Sequence, residues 1–179
     1  GSSGFVGSHL VDALLARGQE VVDCFVRWRS TSFMPNLEHI SQERVRFHWA
    51  DLTDPWSTRR VISTVKPDEL YHVAAHTFVP YSYGNPTATL DTNGHGTINL
   101  LEACRTYAPD CKILIVSSGE VYGHHDGEIT EQSALNVRSP YGLGKLTEDR
   151  AAYMYQQAYK MNLVIARSYS QTGPRKFVG

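Results

Sequence analysis

Tyr141 and Lys145 stand four residues apart, so on a helix their side chains share one face. That pairing has a chemical use. A phenol with an ordinary pKa of about 10 accepts a proton poorly at neutral pH. An ammonium held beside it favours the phenolate and brings proton exchange into the working range. The same ammonium can bind the ribose hydroxyls of a nicotinamide nucleotide. Ser118 follows an apolar, strand-like run at Lys112 to Ser117, and its hydroxyl could hold the reacting oxygen beside Tyr141. A Tyr and a Lys at this spacing recur by chance in many helices. The pair gains meaning only if a cofactor site accompanies it.

The amino end supplies one. Gly1, Gly4 and Gly7 are three apart, and Phe5-Val6-Gly7-Ser8 runs directly into a helical pattern. Glycines belong where the backbone turns tightly and a pyrophosphate comes too close for a Cβ. The helix start then offers unpaired N–H groups and a positive dipole end. Gly1, Gly4, Phe5, Val6 and Gly7 are therefore expected to hold the dinucleotide. At the tip of the next strand an acidic residue would hold the ribose diol of NAD, and Asp23 comes too early in the strand to do so. Arg27-Trp28-Arg29-Ser30 stands at the tip instead. The guanidiniums of Arg27 and Arg29 and the Ser30 hydroxyl suit the 2′-phosphate of NADP, which is expected over NAD. Asp51 and Leu52 follow the third β-rich segment's counterpart at Val45 to Trp49 and are expected to meet the adenine. An Asp there could equally cap a helix.

These groups need a scaffold with its strand ends on one edge. Apolar periodicity alternates short β-rich runs with longer helical stretches, the pattern of an α/β, Rossmann-like, doubly wound parallel sheet. Helices are expected over Val6 to Ala16, with Val6, Leu10, Leu14 and Leu15 on one face, and from Asp54-Pro55 to about Val65. Two long ones follow, over Pro86 to Tyr107 and from Ser139-Pro140 to about Met161. Strands are expected at Glu20 to Val26, Val45 to Trp49, Leu70 to Ala74, Lys112 to Ser117 and Leu163 to Ala166. The fourth is almost wholly apolar, as a strand covered on both faces should be. Residues 1–179 read as one dinucleotide-binding domain. The chain opens inside a motif and stops soon after Gly173-Pro174-Arg175, so it is expected to be a fragment of a longer protein. The sheet's first strand and a carboxyl-terminal substrate-binding segment would then lie outside it.

Composition narrows the partners. Hydrophobic residues at 41% and charged residues at 20% fit a soluble globular protein. A net charge of −1 gives no field to recruit nucleic acid or an anionic membrane. Cys24, Cys104 and Cys111 form no close pair, which suits a reducing cytoplasm better than a disulfide scaffold. No apolar run approaches 18 residues and no signal-peptide pattern is present, so a cytoplasmic location is expected. His124-His125 with Asp126 lacks further ligands at metal-binding spacing, and no metal is expected. Tyr153, Tyr155 and Tyr159 are expected in core and subunit contacts rather than in a base-stacking platform.

The glycine turn, Val116-Ser117-Ser118-Gly119-Glu120-Val121-Tyr122-Gly123 and Ser139-Pro140-Tyr141-Gly142-x-x-Lys145 resemble the extended short-chain dehydrogenase/reductase family. The run from Asp91 to Ala103 resembles that family's long helix, which implies a homodimer or homotetramer built through the two long helices. With Val26-Arg27-Trp28-Arg29-Ser30, Ala74-Ala75-His76-Thr77 and Thr172-Gly173-Pro174-Arg175, the chain is most similar to GDP-mannose 4,6-dehydratases. That resemblance implies NADP, contacted also by Ala74, Ala75, Tyr141 and Lys145, and a GDP-sugar substrate, GDP-mannose. It implies Ser118, Tyr141 and Lys145 as the redox group, and Glu120 as the base that removes the C5 proton. Ser118, Glu120, Ser170 and Arg175 would contact the sugar nucleotide. The chain departs from the pattern at Gly119, where serine is usual, at His76, where Gln is common, and at Ser170-Gln171, which replaces an Asn-His pair. A 4-keto reductase, an epimerase or a decarboxylase of the same family, and a non-catalytic dinucleotide-binding protein, are the alternative readings.

Overall fold

The computed structural model describes residues 1–28 and 34–176, and Arg29 and Ser30 lie outside the described residues. Helix α1 spans Phe5–Ala16 and strand β1 Val22–Val26. Strand β2, Val45–Trp49, leads to helix α2, Pro55–Val65. The Asp54 side chain accepts a hydrogen bond from Trp56 N at the start of α2, where Pro55 gives up no needed donor. Lys66 ends that helix in the left-handed conformation, φ 46°. Strand β3 is Glu69–His72, and β4 is Lys112–Ser118. Helix α6, Pro140–Tyr159, is capped by Ser139, whose Oγ accepts from Gly142 N at 2.9 Å. Strand β5, Leu163–Ser168, completes the order.

All strand pairs are parallel, so the chain is an α/β, Rossmann-like fold. They form two sheets, β1-β2 and β3-β4-β5, with no strand between β1 and β3 among the described residues. The glycine turn sits between the two. The backbone nitrogens of Gly1 and Ser2 donate to Phe25 O in β1, while a Cβ on Gly1 would lie 2.7 Å from Ala74 N just past β3. In the larger sheet Ile113, Ile115 and Leu163 pack with Ile62 of α2, Leu101 and Cys104, and Ala152 and Tyr155 of α6. A smaller core joins Val11 of α1 to Cys24, Leu37 and Val45. Burial pushes the Cys104 thiol up to about 12 and Cys111 to about 11, so both stay protonated. Among the described residues no helix is long and apolar enough to cross a membrane.

Two expectations need correction. In α1 the buried face is Gly7, Ser8 and Val11, with Leu15 against the smaller core, and Val6 is 42% exposed. Small residues let the helix back lie against the turn, so hydrophobicity alone mislocates its inner face. The long helix from Pro86 is interrupted: α4, Pro86–Leu90, passes through a π-turn at Asp91–His95 into α5, Gly96–Tyr107. Asn93 and the glycines on either side of His95 are weak helix formers and let the wider turn form. Ahead of them lies an unforeseen short helix, α3, Val79–Gly84. Tyr155 is buried, but Tyr153 and Tyr159 are about half exposed.

Candidate active site

The site begins at the glycine turn. A Cβ on Gly7 would lie 2.1 Å from Gly1 O, and one on Gly4 would lie 3.2 Å from the same oxygen. Any side chain at Gly7 would break the turn. Helix α1 starts at Gly4 with no side-chain cap, which leaves its first-turn N–H groups for an external acceptor. Ser8 Oγ turns back to Phe5 O at 2.9 Å and offers no competing cap. This backbone cradle fits a dinucleotide pyrophosphate. Phe5 instead uses its ring to pack edge-on against His9, at 5.5 Å.

Arg27 and Asp51, at the carboxyl ends of β1 and β2, line an open cavity of about 420 Å³ with Thr53, Ala88, Asp91, Thr92 and His95. Burial would raise the Asp51 carboxyl. Hydrogen bonds from Thr53 N (2.9 Å) and Thr53 Oγ1 (2.7 Å), with the charge of Arg27, hold it below the usual carboxylate range. A carboxylate and a guanidinium facing one cavity suit the polar edge of an adenosine. Leu52 also has a packing role. Its side chain fills the space a Cβ on Gly96 would need, 2.7 Å away, and its carbonyl accepts from Asn99 Nδ2 at 2.8 Å. It fixes α5 against the cavity floor.

The second half of the site lies where α6 starts against the end of β4. Ser118 Oγ accepts from Glu120 N at 3.2 Å and so starts the short 3-10 turn Gly119–Val121. The amino end of α6 packs on that turn, with the Cα of Gly142 so near that a Cβ there would lie 3.3 Å from Glu120 O. Lys145 Nζ reaches Val116 O at 2.7 Å, and Ser117 Oγ donates to Lys145 O at 3.5 Å. Ser118 and Tyr141 are each 8% exposed, while Glu120 is exposed and its carboxylate has no hydrogen bond among the described residues. Ser118, Glu120, Tyr141 and Lys145, scattered over 28 residues of sequence, are thus gathered at one junction. A Cβ on Gly119 would lie 2.6 Å from Cε1 of Tyr169, which accounts for glycine at that place.

Asn93 is a site residue that the pattern reading missed. Fully buried in the π-turn, it accepts from His76 N at 2.8 Å and donates to His76 O at 3.0 Å. One amide thereby clamps the segment after β3 that contains Ala74 and Ala75. Its signal was present in the sequence as a poor helix former, followed by Gly94, inside a helical run. π-turns of this kind recur at functional sites. Gly144 supports the clamp, since a Cβ there would press on Asn93 Cβ at 3.1 Å. Asn93→Ala leaves two backbone groups of His76 unpaired, so a loss of about 2 kcal/mol of stability is expected. Urea unfolding of the two proteins checks this, and equal midpoints would remove Asn93 from the account.

Other expected site residues lie elsewhere. The Arg175 guanidinium donates to Asn36 O at 3.2 Å and meets Asp12 Oδ2 and His9 Nδ1 at 2.6 Å each, which ties it to α1 and not to the β4–α6 junction. Ser170 is exposed, and among the described residues its side chain has no hydrogen bond. Arg167 was not singled out in the sequence. It forks onto Asp149 at 2.8 and 3.0 Å and donates to Tyr122 Oη at 2.8 Å, which locks β5 and α6 to the loop after β4. Among the described residues no three His, Cys, Asp or Glu side chains gather as metal ligands.

A dinucleotide cradle opening α1, parallel strands and a Tyr–Lys helix laid across the end of β4 define an extended short-chain dehydrogenase/reductase of the epimerase/dehydratase group. The family model for GDP-mannose 4,6 dehydratase matches residues 1–179, and the chain belongs to that family. GDP-mannose 4,6 dehydratase 2 of Arabidopsis thaliana is 31% identical over 98% of this chain and 50% of its own length. UDP-glucuronic acid decarboxylase 4 of Arabidopsis thaliana is 33% identical over 98% of this chain and 39% of the relative. The solved structure of DesIV, a dTDP-glucose 4,6-dehydratase from Streptomyces venezuelae with NAD and TYD bound, superposes with a TM-score of 0.89. It is 31% identical and covers 98% of this chain and 56% of that one. The chain thus spans about half the length of the curated dehydratase it matches. The curated relatives are named as nucleotide-sugar dehydratases and a decarboxylase, and the DesIV structure holds NAD.

Proposed function

We propose that the protein carrying this chain is an NADP-dependent nucleotide-sugar 4,6-dehydratase that converts GDP-mannose to GDP-4-keto-6-deoxymannose. The observation that supports this most is Glu120, two residues after Ser118, whose backbone packs against the amino end of the Tyr141 helix and whose carboxylate is exposed. A plain 4-epimerase needs no base there. Gly1, Gly4, Phe5, Val6, Gly7, Ala74 and Ala75 hold the dinucleotide, with Asp51 and Leu52 at the adenine. Arg27, charged and at the cavity edge, takes the 2′-phosphate of NADP, together with Arg29 and Ser30.

When bound, the nicotinamide supplies reversible hydride acceptance at the sugar's C4 and donation at C6. Tyr141 takes the proton of the C4 hydroxyl, Ser118 holds that oxygen, and Lys145 binds the cofactor's ribose hydroxyls. The new ketone acidifies the C5 hydrogen, and Glu120 removes it as the C6 hydroxyl departs, so that the two leave together as water. A proton must later return to C5, and Glu120, recharged from solvent, gives it. Ser170 and Arg175 contact the sugar nucleotide in this reading, which requires Arg175 to leave Asp12. The exposed Tyr107, Tyr153 and Tyr159 of α5 and α6 form the face of a homodimer or homotetramer.

A decarboxylase is the second reading, because a relative of that activity is as similar as the dehydratases and a carboxylate at Glu120 suits both. The test is purified full-length enzyme with GDP-mannose and catalytic NADP. A 4-keto-6-deoxy product without net NADPH is expected. Carbon dioxide release from a nucleotide-linked uronic acid, with GDP-mannose untouched, would replace the dehydratase by the decarboxylase.

A further inference from the structure

Lys145 is nine-tenths and more buried, and its ammonium is held by two partners. One is Val116 O in β4, and the other is Glu148 Oε2 on the next turn of α6, at 2.8 Å. Glu148 is fully buried, and among the described residues its second oxygen, Oε1, has no hydrogen-bond partner. A buried carboxylate with one bare oxygen is a poor structural element, because burial penalises the charge and the unpaired oxygen forfeits its solvation. Apolar side chains would fill this place at less expense to the fold. Such arrangements gather where a charge must be set for chemistry.

We infer that Glu148 is a positioning residue for Lys145, whose ammonium it holds charged and aimed along the Tyr141 face of α6. The inference rests on the reading of Tyr141 and Lys145 given above. An ammonium buried without a counter-charge would tend to lose its proton. Glu148 Oε2 supplies a counter-charge, and with Val116 O it occupies two of the three donor directions of Lys145, leaving the third for ribose and phenol. The bare Oε1 is where a proton from solvent adds as pH falls, and the ion pair is then released. Burial pushes the Glu148 carboxyl up, against the pull of Lys145, to about 7.

The other groups around the pair do not take over this role. His72 of β3, which shares a hydrogen bond with Thr97 Oγ1 at 2.9 Å, is pushed down to about 3 by burial and by Lys145, so it stays neutral. Asp149, the neighbour of Glu148, is held by the fork of Arg167 from β5.

The test compares full-length enzyme with its Glu148→Gln, Glu148→Asp and Tyr141→Phe variants. In the parent, kcat falls as pH drops through about 7, where Glu148 takes up its proton. In Glu148→Gln, kcat at pH 8 falls by about tenfold with KM for the sugar nucleotide little changed, and that acid limb disappears. Glu148→Asp recovers part of the loss. Stability moves the other way. The folded carboxyl titrates above its unfolded value, so between these two values the folded state binds the extra proton, and the parent loses stability as pH rises through the window. The melting temperature of Glu148→Gln relative to the parent therefore climbs from pH 5 to pH 8. Should Glu148→Gln keep both the parent's kcat and its acid limb while Tyr141→Phe is dead, the inference falls and the catalytic reading stands. Should Tyr141→Phe also turn over normally, the reading beneath it falls as well.

Discussion

Tyr141→Phe should abolish turnover while leaving the protein folded and the dinucleotide bound. The variant removes one oxygen from a ring that is 8% exposed and leaves its packing intact. Among the described residues that hydroxyl has no hydrogen bond, so no partner is left unpaired. Stability should stay within about 0.5 kcal/mol of the parent. Loss of a positioned acid–base group lowers rate by about 10²- to 10⁴-fold, and the upper part of that range is expected because every later step needs the C4 ketone. Nucleotide fluorescence titration should give an affinity within about twofold of the parent, since the cradle at Gly1, Gly4 and Gly7 is untouched. A variant that keeps a tenth or more of kcat would show that another group takes the C4 proton.

Glu120→Gln should separate the two halves of the reaction. Its carboxylate is exposed and among the described residues makes no hydrogen bond, so the fold and the cradle should be unaffected. The amide cannot accept a proton, and dehydration should fall by about 10²- to 10⁴-fold. Oxidation at C4 uses Tyr141 and Lys145 and should survive, so the bound cofactor should be seen reduced on mixing with substrate and then persist in that form. In D₂O the parent should place deuterium at C5 of the product, and the variant should not exchange C5 of recovered substrate. Normal dehydration by Glu120→Gln would exclude Glu120 as the base and reopen the epimerase reading.

Much of this site could be read from the chain because local chemistry dictates it. The triple glycine spacing needs no tertiary knowledge, for the clash of a Gly7 Cβ with Gly1 O is built into the turn itself. Tyr141 and Lys145 follow from helical geometry, and Asp54-Pro55 and Ser139-Pro140 announced the starts of α2 and α6. What stayed hidden depends on contacts far apart in sequence. Asn93 reaches across 17 residues to His76, and Arg167 across 18 to Asp149. Arg175 turns to α1 across 163 residues, which no local pattern could reveal. The inner face of α1 was misjudged because Gly7 and Ser8 bury by being small rather than apolar.

The central claim is that hydrogen leaves C4 and returns to C6 of the same sugar. GDP-mannose carrying deuterium at C4, incubated with full-length enzyme and unlabelled NADP, tests it most directly. The account predicts a 4-keto-6-deoxy product with one deuterium at C6 and no label in the free cofactor. Deuterium retained at C4, or lost to the cofactor pool with nothing at C6, would contradict it.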